Sequence, residues 1–147
     1  MDRSECREIE RLFVYTHIMA KLISDKKRLI VFKKYKGKCA YCGCRLTKDN
    51  WHVDHITPLY RKSSNKELLR YGIVKGTNDI DNLNPSCPTC NISKSTFTVD
   101  NWRKELQLKV GRLRKTTSTF RLMEKYKCIK ISYKPIVFYF ERRVNND

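Results

Sequence analysis

Cys39-Ala-Tyr-Cys42 and Cys87-Pro-Thr-Cys90 bracket the segment Trp51-His52-Val53-Asp54-His55, and Asn91 follows the last cysteine directly. Few patterns restrict a fold so tightly. Each C-x2-C turn aims two thiolates at one point, and two such turns complete a tetrahedral zinc site, so the chain must return to its own knuckle. The expected zinc ligands are Cys39, Cys42, Cys87 and Cys90. Such an ion is a staple, and it encloses a run of polar residues suited to chemistry. Cys6, Cys44 and Cys128 remain without obvious partners. Cys44 lies two residues beyond Cys42 and competes as a ligand, but C-x-C is the less usual knuckle, so it reads as a bystander. Three cysteines left over argue against an extracellular disulfide framework and for a reducing, cytoplasmic compartment.

The 147 residues, 40% of them hydrophobic, suffice for one compact nucleus with flanking elements. No apolar run approaches membrane-spanning length, and the charged start Met1-Asp2-Arg3-Ser4-Glu5 is unlike a secretory signal. The formal charge of +17 points to a polyanionic partner, with nucleic acid the leading candidate. Residues 1–38 carry eleven basic and five acidic side chains, residues 39–99 eight and five, and residues 100–147 thirteen and five. Basic flanks around a nearly balanced centre suggest arms that grip phosphates beside a chemical site.

Helical spacing of Ile9, Leu12, Phe13, Met19, Leu22 and Ile23 predicts an amphipathic helix over about 5–23. A short helix over about 26–35 follows, with Leu29, Ile30 and Phe32 apolar, before Gly37 ends it. Trp51–Ile56 reads as a strand closed by Pro58, with Asp81–Ser86 as its antiparallel mate and Pro88 opening a helix. Between them Lys66–Tyr71 forms a helical turn, and Gly72 and Gly76 mark a loop. Thr98 or Asp100 caps a helix whose Trp102, Leu106, Val110 and Leu113 follow the 3.6 period, and Thr117–Tyr126 is a further short helix. Ile129–Ser132 and Ile136–Glu141 read as a β-hairpin. Three regions result: a helical arm over 1–25, a core over 26–98 and a basic extension over 99–147.

The central residues fit phosphodiester hydrolysis, which needs a base for water, a cation against the developing charge, and groups that fix geometry. His55 is the candidate general base. Asp54 and Asn91 offer oxygen ligands, which suit a hard ion such as Mg²⁺. Asn91 falls in the first turn of the helix opened by Pro88, where free N–H groups also favour phosphate. Lys94, one turn further on the same face, and Arg61 and Lys62 just beyond the strand are candidate phosphate contacts, with solvent exposure the plain alternative for Lys94. Adjacent strand residues point to opposite faces, so Asp54 and His55 meet only if the strand twists, bulges or ends there. His52 shares Asp54's ideal face and is the rival to His55.

Cys39-x2-Cys42, His52-Val53-Asp54-His55-Ile56-x-Pro58, Asp81-Asn82-Leu83 and Cys87-x2-Cys90-Asn91 with Lys94 together resemble the HNH endonucleases, particularly the small free-standing ones of phages and mobile elements. The resemblance covers about residues 26–98. It implies an α+β fold, with a ββα-metal core stapled by zinc between N-terminal helices and a helix-helix-hairpin extension. It also selects His55 over His52 as the base, makes Asp54 and Asn91 ligands of a catalytic Mg²⁺ or Mn²⁺, and has Asn82, with Asn84 as rival, orient the loop and the base. Asn91 stands where many members carry a histidine, as in the HNH domain of RNA-guided CRISPR effectors. The implied activity is metal-dependent cleavage of one DNA strand per site, with double-strand cleavage by a homodimer or two events. Two alternatives are a zinc-stabilised DNA-binding protein without catalysis and an RNA-directed nuclease.

Overall fold

The computed structural model describes residues 23–144; the helix expected over about 5–23 lies almost wholly outside them. The first element, α1 (Asp25–Lys33), starts where Ser24 accepts a hydrogen bond from the Lys27 N–H, and Asp25 sits in its first turn against the positive helix end. Its buried residue is Val31, whereas Leu29 and Ile30 are exposed. Phe32, partly buried, packs against the same core and meets the Trp51 ring.

After a left-handed turn at Lys36 and Gly37, the chain enters the first knuckle, where the Leu46 N–H donates to the Gly37 carbonyl. Strand β1 (His52–His55) then pairs antiparallel with β2 (Leu83–Ser86), placing Asp54 opposite Asn84 and His55 opposite Leu83. The strands are shorter than expected because residues 80–82 form a 3-10 turn leading into β2. Between the strands, α2 (Asn65–Arg70) carries a reciprocal capping box in which Ser64 and Glu67 satisfy each other's backbone N–H groups. Helix α3 (Pro88–Lys94) begins with proline, whose missing N–H would have been unpaired there in any case.

Helix α4 (Val99–Thr116) is capped by Thr98, and α5 (Ser118–Lys125) follows it. Only the first part of the α4 stripe reaches the core: Trp102 is buried and Leu106 packs against the core, but Leu113 is exposed. No hairpin forms after α5. Residues 127–138 run without strand pairing and end in α6 (Tyr139–Val144). The apolar residues read as strand positions are anchors instead. Phe138 stacks on Trp102 with centroids 4.9 Å apart, and Tyr139 and Phe140 donate N–H bonds to the carbonyls of Tyr41 and Ala40. Arg103 fixes this return by bonding the Ile136 carbonyl and the Glu141 carboxylate. One core therefore joins Val31, Tyr41, Leu46, Trp51, Leu83, Trp102 and Phe138.

Candidate active site and metal centre

Five thiols gather where the two knuckles meet. Cys39, Cys42, Cys44 and Cys87 have sulfur atoms all within 4.8 Å of one another. Cys90, from α3, lies against Cys39 and Cys87. A hydrogen bond from Cys90 and backbone N–H groups of Cys42, Cys87 and Tyr41 hold the Cys39 thiol down to about 4, against the opposing effect of burial. The Cys87 N–H lies 3.4 Å from the Cys39 sulfur. A thiolate gathered with neighbouring thiols and fed by amide donors is a donor set that fits Zn²⁺. Cys44, read as a bystander, belongs to this group.

The polar residues converge on a different spot, at the end of the strand pair. Asp54, His55, Arg61 and Asn91 line one cleft of about 300 Å³. Asp54 and His55 share it because β1 ends at His55, where the pleat no longer forces the side chains apart. His52 is exposed one step outside and does not line the cleft.

Asp54 is 6% exposed, and its carboxylate receives the Tyr41 hydroxyl and the Lys94 ammonium, the latter at 3.1 Å. Burial raises its pKa, with the Lys94 charge and the Tyr41 hydrogen bond acting in the other direction. Lys94 itself is entirely buried and also donates to the His55 carbonyl at 2.6 Å. This corrects its assignment as a phosphate contact, because an ammonium enclosed between Asp54 and the β1 backbone cannot meet DNA. Two carboxylate oxygens offer about four acceptor positions, so the Asp54 carboxylate retains room for a cation on the cleft side. With Asn91 across the cleft, the oxygen donors suit a hard divalent ion.

His55 Nε2 lies 2.8 Å from Asn78 Oδ1. Burial lowers the imidazole pKa, while the Asn78 bond and the Asp54 charge partly restore it and Arg61 adds to the lowering. Asn78 escaped the sequence reading. Its only signal was a polar residue in a Gly-containing loop, between Thr77 and Asp79.

Asn82 does hold the loop. Its Oδ1 accepts the Thr57 N–H at 2.8 Å, while its Nδ2 donates to the carbonyls of Thr57 and Thr77. None of these bonds reaches His55. Asn84, the rival, is fully buried beneath the strand, where its Oδ1 accepts from Lys34 at 3.4 Å. Lys27 of α1 donates to the Asn78 carbonyl at 2.8 Å, and Lys34, just past the helix end, to the Leu83 carbonyl at 3.0 Å. Part of the positive charge is thus internal fastening. Arg61 and Lys62 are exposed, and Arg61 lines the cleft.

Residues 39–97 match the family model described as HNH endonuclease. This segment is thus similar to HNH endonuclease domains. The chain is 35% identical over 69 residues to the SPbeta prophage-derived candidate HNH endonuclease YoqL of Bacillus subtilis (strain 168). That match covers 46% of this chain and 27% of the relative, so the chain spans little more than a quarter of that protein's length. Among solved structures, the Type II-C Cas9 enzyme from Actinomyces naeslundii matches 84% of this chain and 14% of its own, at 22% identity and a TM-score of 0.43. The matched segment is an α+β unit in which β1 and α3 carry Asp54, His55 and Asn91, and the thiol cluster draws on both cysteine knuckles. Among the described residues, no helix is long and apolar enough to cross a membrane.

Proposed function

We propose that the chain hydrolyses phosphodiester bonds of double-stranded DNA, with His55 as general base, Asp54 and Asn91 as ligands of a catalytic Mg²⁺ or Mn²⁺, and Cys39, Cys42, Cys87 and Cys90 among the thiols that hold a structural Zn²⁺. The observation that carries this is the shared cleft: an imidazole, a carboxylate, an amide and an arginine face one volume large enough for a phosphate and water. A binding module would have no use for a half-buried histidine aligned by Asn78.

With Asn78 Oδ1 as acceptor, the His55 proton sits on Nε2 and the lone pair is on Nδ1, which takes the proton from the attacking water. The lowered pKa keeps that ring neutral, and so able to act as a base, at physiological pH. Arg61 offers a cation to the phosphate, and exposed Lys62 extends the positive rim along the duplex. Lys94 and Tyr41 hold the Asp54 carboxylate in place from behind. The divalent ion, when bound, would offset charge on the phosphate and the leaving oxygen. Asn82 keeps Thr57 and the 77–82 loop in register so that Asn78 faces His55. One cleft acts on one strand; a double-strand break requires two protomers or two events.

The test is nicking of supercoiled plasmid in Mg²⁺ or Mn²⁺ by the wild type and by His55→Ala. Loss of a general base should lower the rate by about 10²–10⁴-fold. Equal nicking by the two proteins, or none by either across several divalent ions, would exclude the catalytic proposal. Matched DNA and RNA duplexes in competition at one salt concentration test the substrate, since phosphates alone do not distinguish them.

A further inference from the structure

The thiol cluster holds one more ligand than a tetrahedral ion can use. We propose that Cys44 is a working ligand of the zinc centre, able to fill the fourth position in exchange with Cys90. This rests on the zinc staple proposed above and extends it to a residue outside the two C-x2-C pairs.

The geometry comes from the turn after the first pair. Gly43 adopts a φ of +79°, which returns the chain toward Cys39, and the Cys39 N–H then donates to the Cys44 carbonyl at 2.8 Å. The Tyr139 ring covers this turn, lying 2.9 Å from where a Gly43 Cβ would stand, so α6 braces the returned conformation. As a result the Cys44 sulfur joins those of Cys39, Cys42 and Cys87 in a mutual group within 4.8 Å, although C-x-C spacing alone would not promise it. Cys90 reaches the cluster from the other side, as part of α3, and contacts Cys39 and Cys87.

Zn²⁺ has no geometric preference of its own from d-electrons, so exchange of one thiolate for another of similar reach requires only a local side-chain adjustment. Three ligands are common to both arrangements, and the fourth alternates between a rigid helix and an exposed knuckle. The staple would then survive loss or chemical modification of either alternate thiol.

Native mass spectrometry of the full chain loaded with Zn²⁺ tests this with Cys44→Ser, Cys90→Ser, the double variant and Cys39→Ser. Each single change at an alternate position should keep one Zn²⁺ per chain through a chelator challenge, while the double variant and Cys39→Ser lose it. In zinc-loaded Cys90→Ser, Cys44 should resist iodoacetamide until the metal is stripped. If Cys90→Ser loses zinc as completely as the double variant, or its Cys44 alkylates as fast as exposed Cys128, Cys44 is no ligand.

Because Cys90→Ser can also disturb packing at α3, peptide mapping of the alkylated wild type supplies a second readout. Among the knuckle thiols, labelling that reaches Cys90 supports the exchange, and labelling confined to Cys44 overturns it. A wild type that retains no zinc at all removes the staple itself, whereas a zinc-loaded wild type with a zinc-free Cys90→Ser removes only the role of Cys44.

Discussion

Replacing Lys94 by methionine separates a structural counter-ion from a DNA contact. Methionine keeps the length of the stem and removes the charge from a site with no solvent access. At 3.1 Å, and with an effective dielectric constant of about 20, the pair with Asp54 has a gross Coulomb attraction of about 5 kcal/mol. Breaking a buried pair by removing one partner costs about 3–5 kcal/mol, because the remaining charge is stranded. For a chain of this size that corresponds to a fall in Tm of roughly 6–20 °C.

The deficit has a predictable pH dependence. Asp54 already titrates above its ordinary value of 3.8 through burial, and Lys94 is the largest opposing influence, so the variant's carboxyl moves further up. A carboxyl whose folded pKa exceeds its unfolded one favours folding in its protonated form. The deficit is therefore full at about pH 8 and shrinks as pH falls through the raised pKa. Adding Asp54→Asn removes the stranded charge, and the pair should show a coupling energy of about 2–3 kcal/mol in a double-mutant cycle. Urea unfolding of the zinc-loaded protein followed by circular dichroism measures each corner. A loss below about 1 kcal/mol that adds independently to Asp54→Asn would refute the buried pair. DNA affinity of the Lys94→Met chain that remains folded should be close to wild type.

Asn78→Ala removes the acceptor from His55 Nε2, so the nicking rate should fall while α1 still engages the Asn78 backbone carbonyl; the acid limb of the pH–rate profile should move to lower pH, because that bond is one of the influences holding the imidazole pKa up. An unshifted profile would reduce Asn78 to loop packing. Gly76→Ala puts a Cβ 1.9 Å from the Thr57 carbonyl oxygen and 2.8 Å from the Asn82 amide nitrogen, so the loop must move. We expect a loss of about 1–3 kcal/mol together with reduced nicking, checked by thermal melts and the plasmid assay, and an unchanged melt would contradict the close approach.

The parts of the site legible in the sequence were those that local spacing encodes. Two C-x2-C turns, a strand ending near Pro58 and a helix opening at Pro88 are short-range patterns, and each placed its residues correctly enough for Asp54, His55 and Asn91 to share a cleft. What failed depended on partners distant in sequence. Lys94 was placed on the right helix, but its partner Asp54 lies 40 residues earlier, and the burial of a lysine leaves no periodic mark. Asn78 reaches His55 across 23 residues from a loop with no pattern of its own. The C-terminal hairpin failed for a related reason. Alternating apolar residues satisfy a strand template, but Phe138 gains more by stacking on Trp102 than a marginal two-stranded ribbon offers.

The same long-range bonds change what the net charge means. A charge of +17 on 147 residues, concentrated in the flanks, pointed to arms that grip phosphate. Yet Lys27 of α1 and Lys34 just past its end bond the 78–84 segment, Lys94 is enclosed with Asp54, and Arg103 and Arg114 are engaged by Glu141 and Glu124. Each of these cations already has a partner within the protein. Lys27 of α1 holds the loop that carries Asn78, which faces His55. The N-terminal helix of the described chain thus reaches the candidate base through two hydrogen-bonded steps. In the proposed reaction, its basic residues would act on the chemistry through loop geometry, while Arg61 stands at the cleft itself.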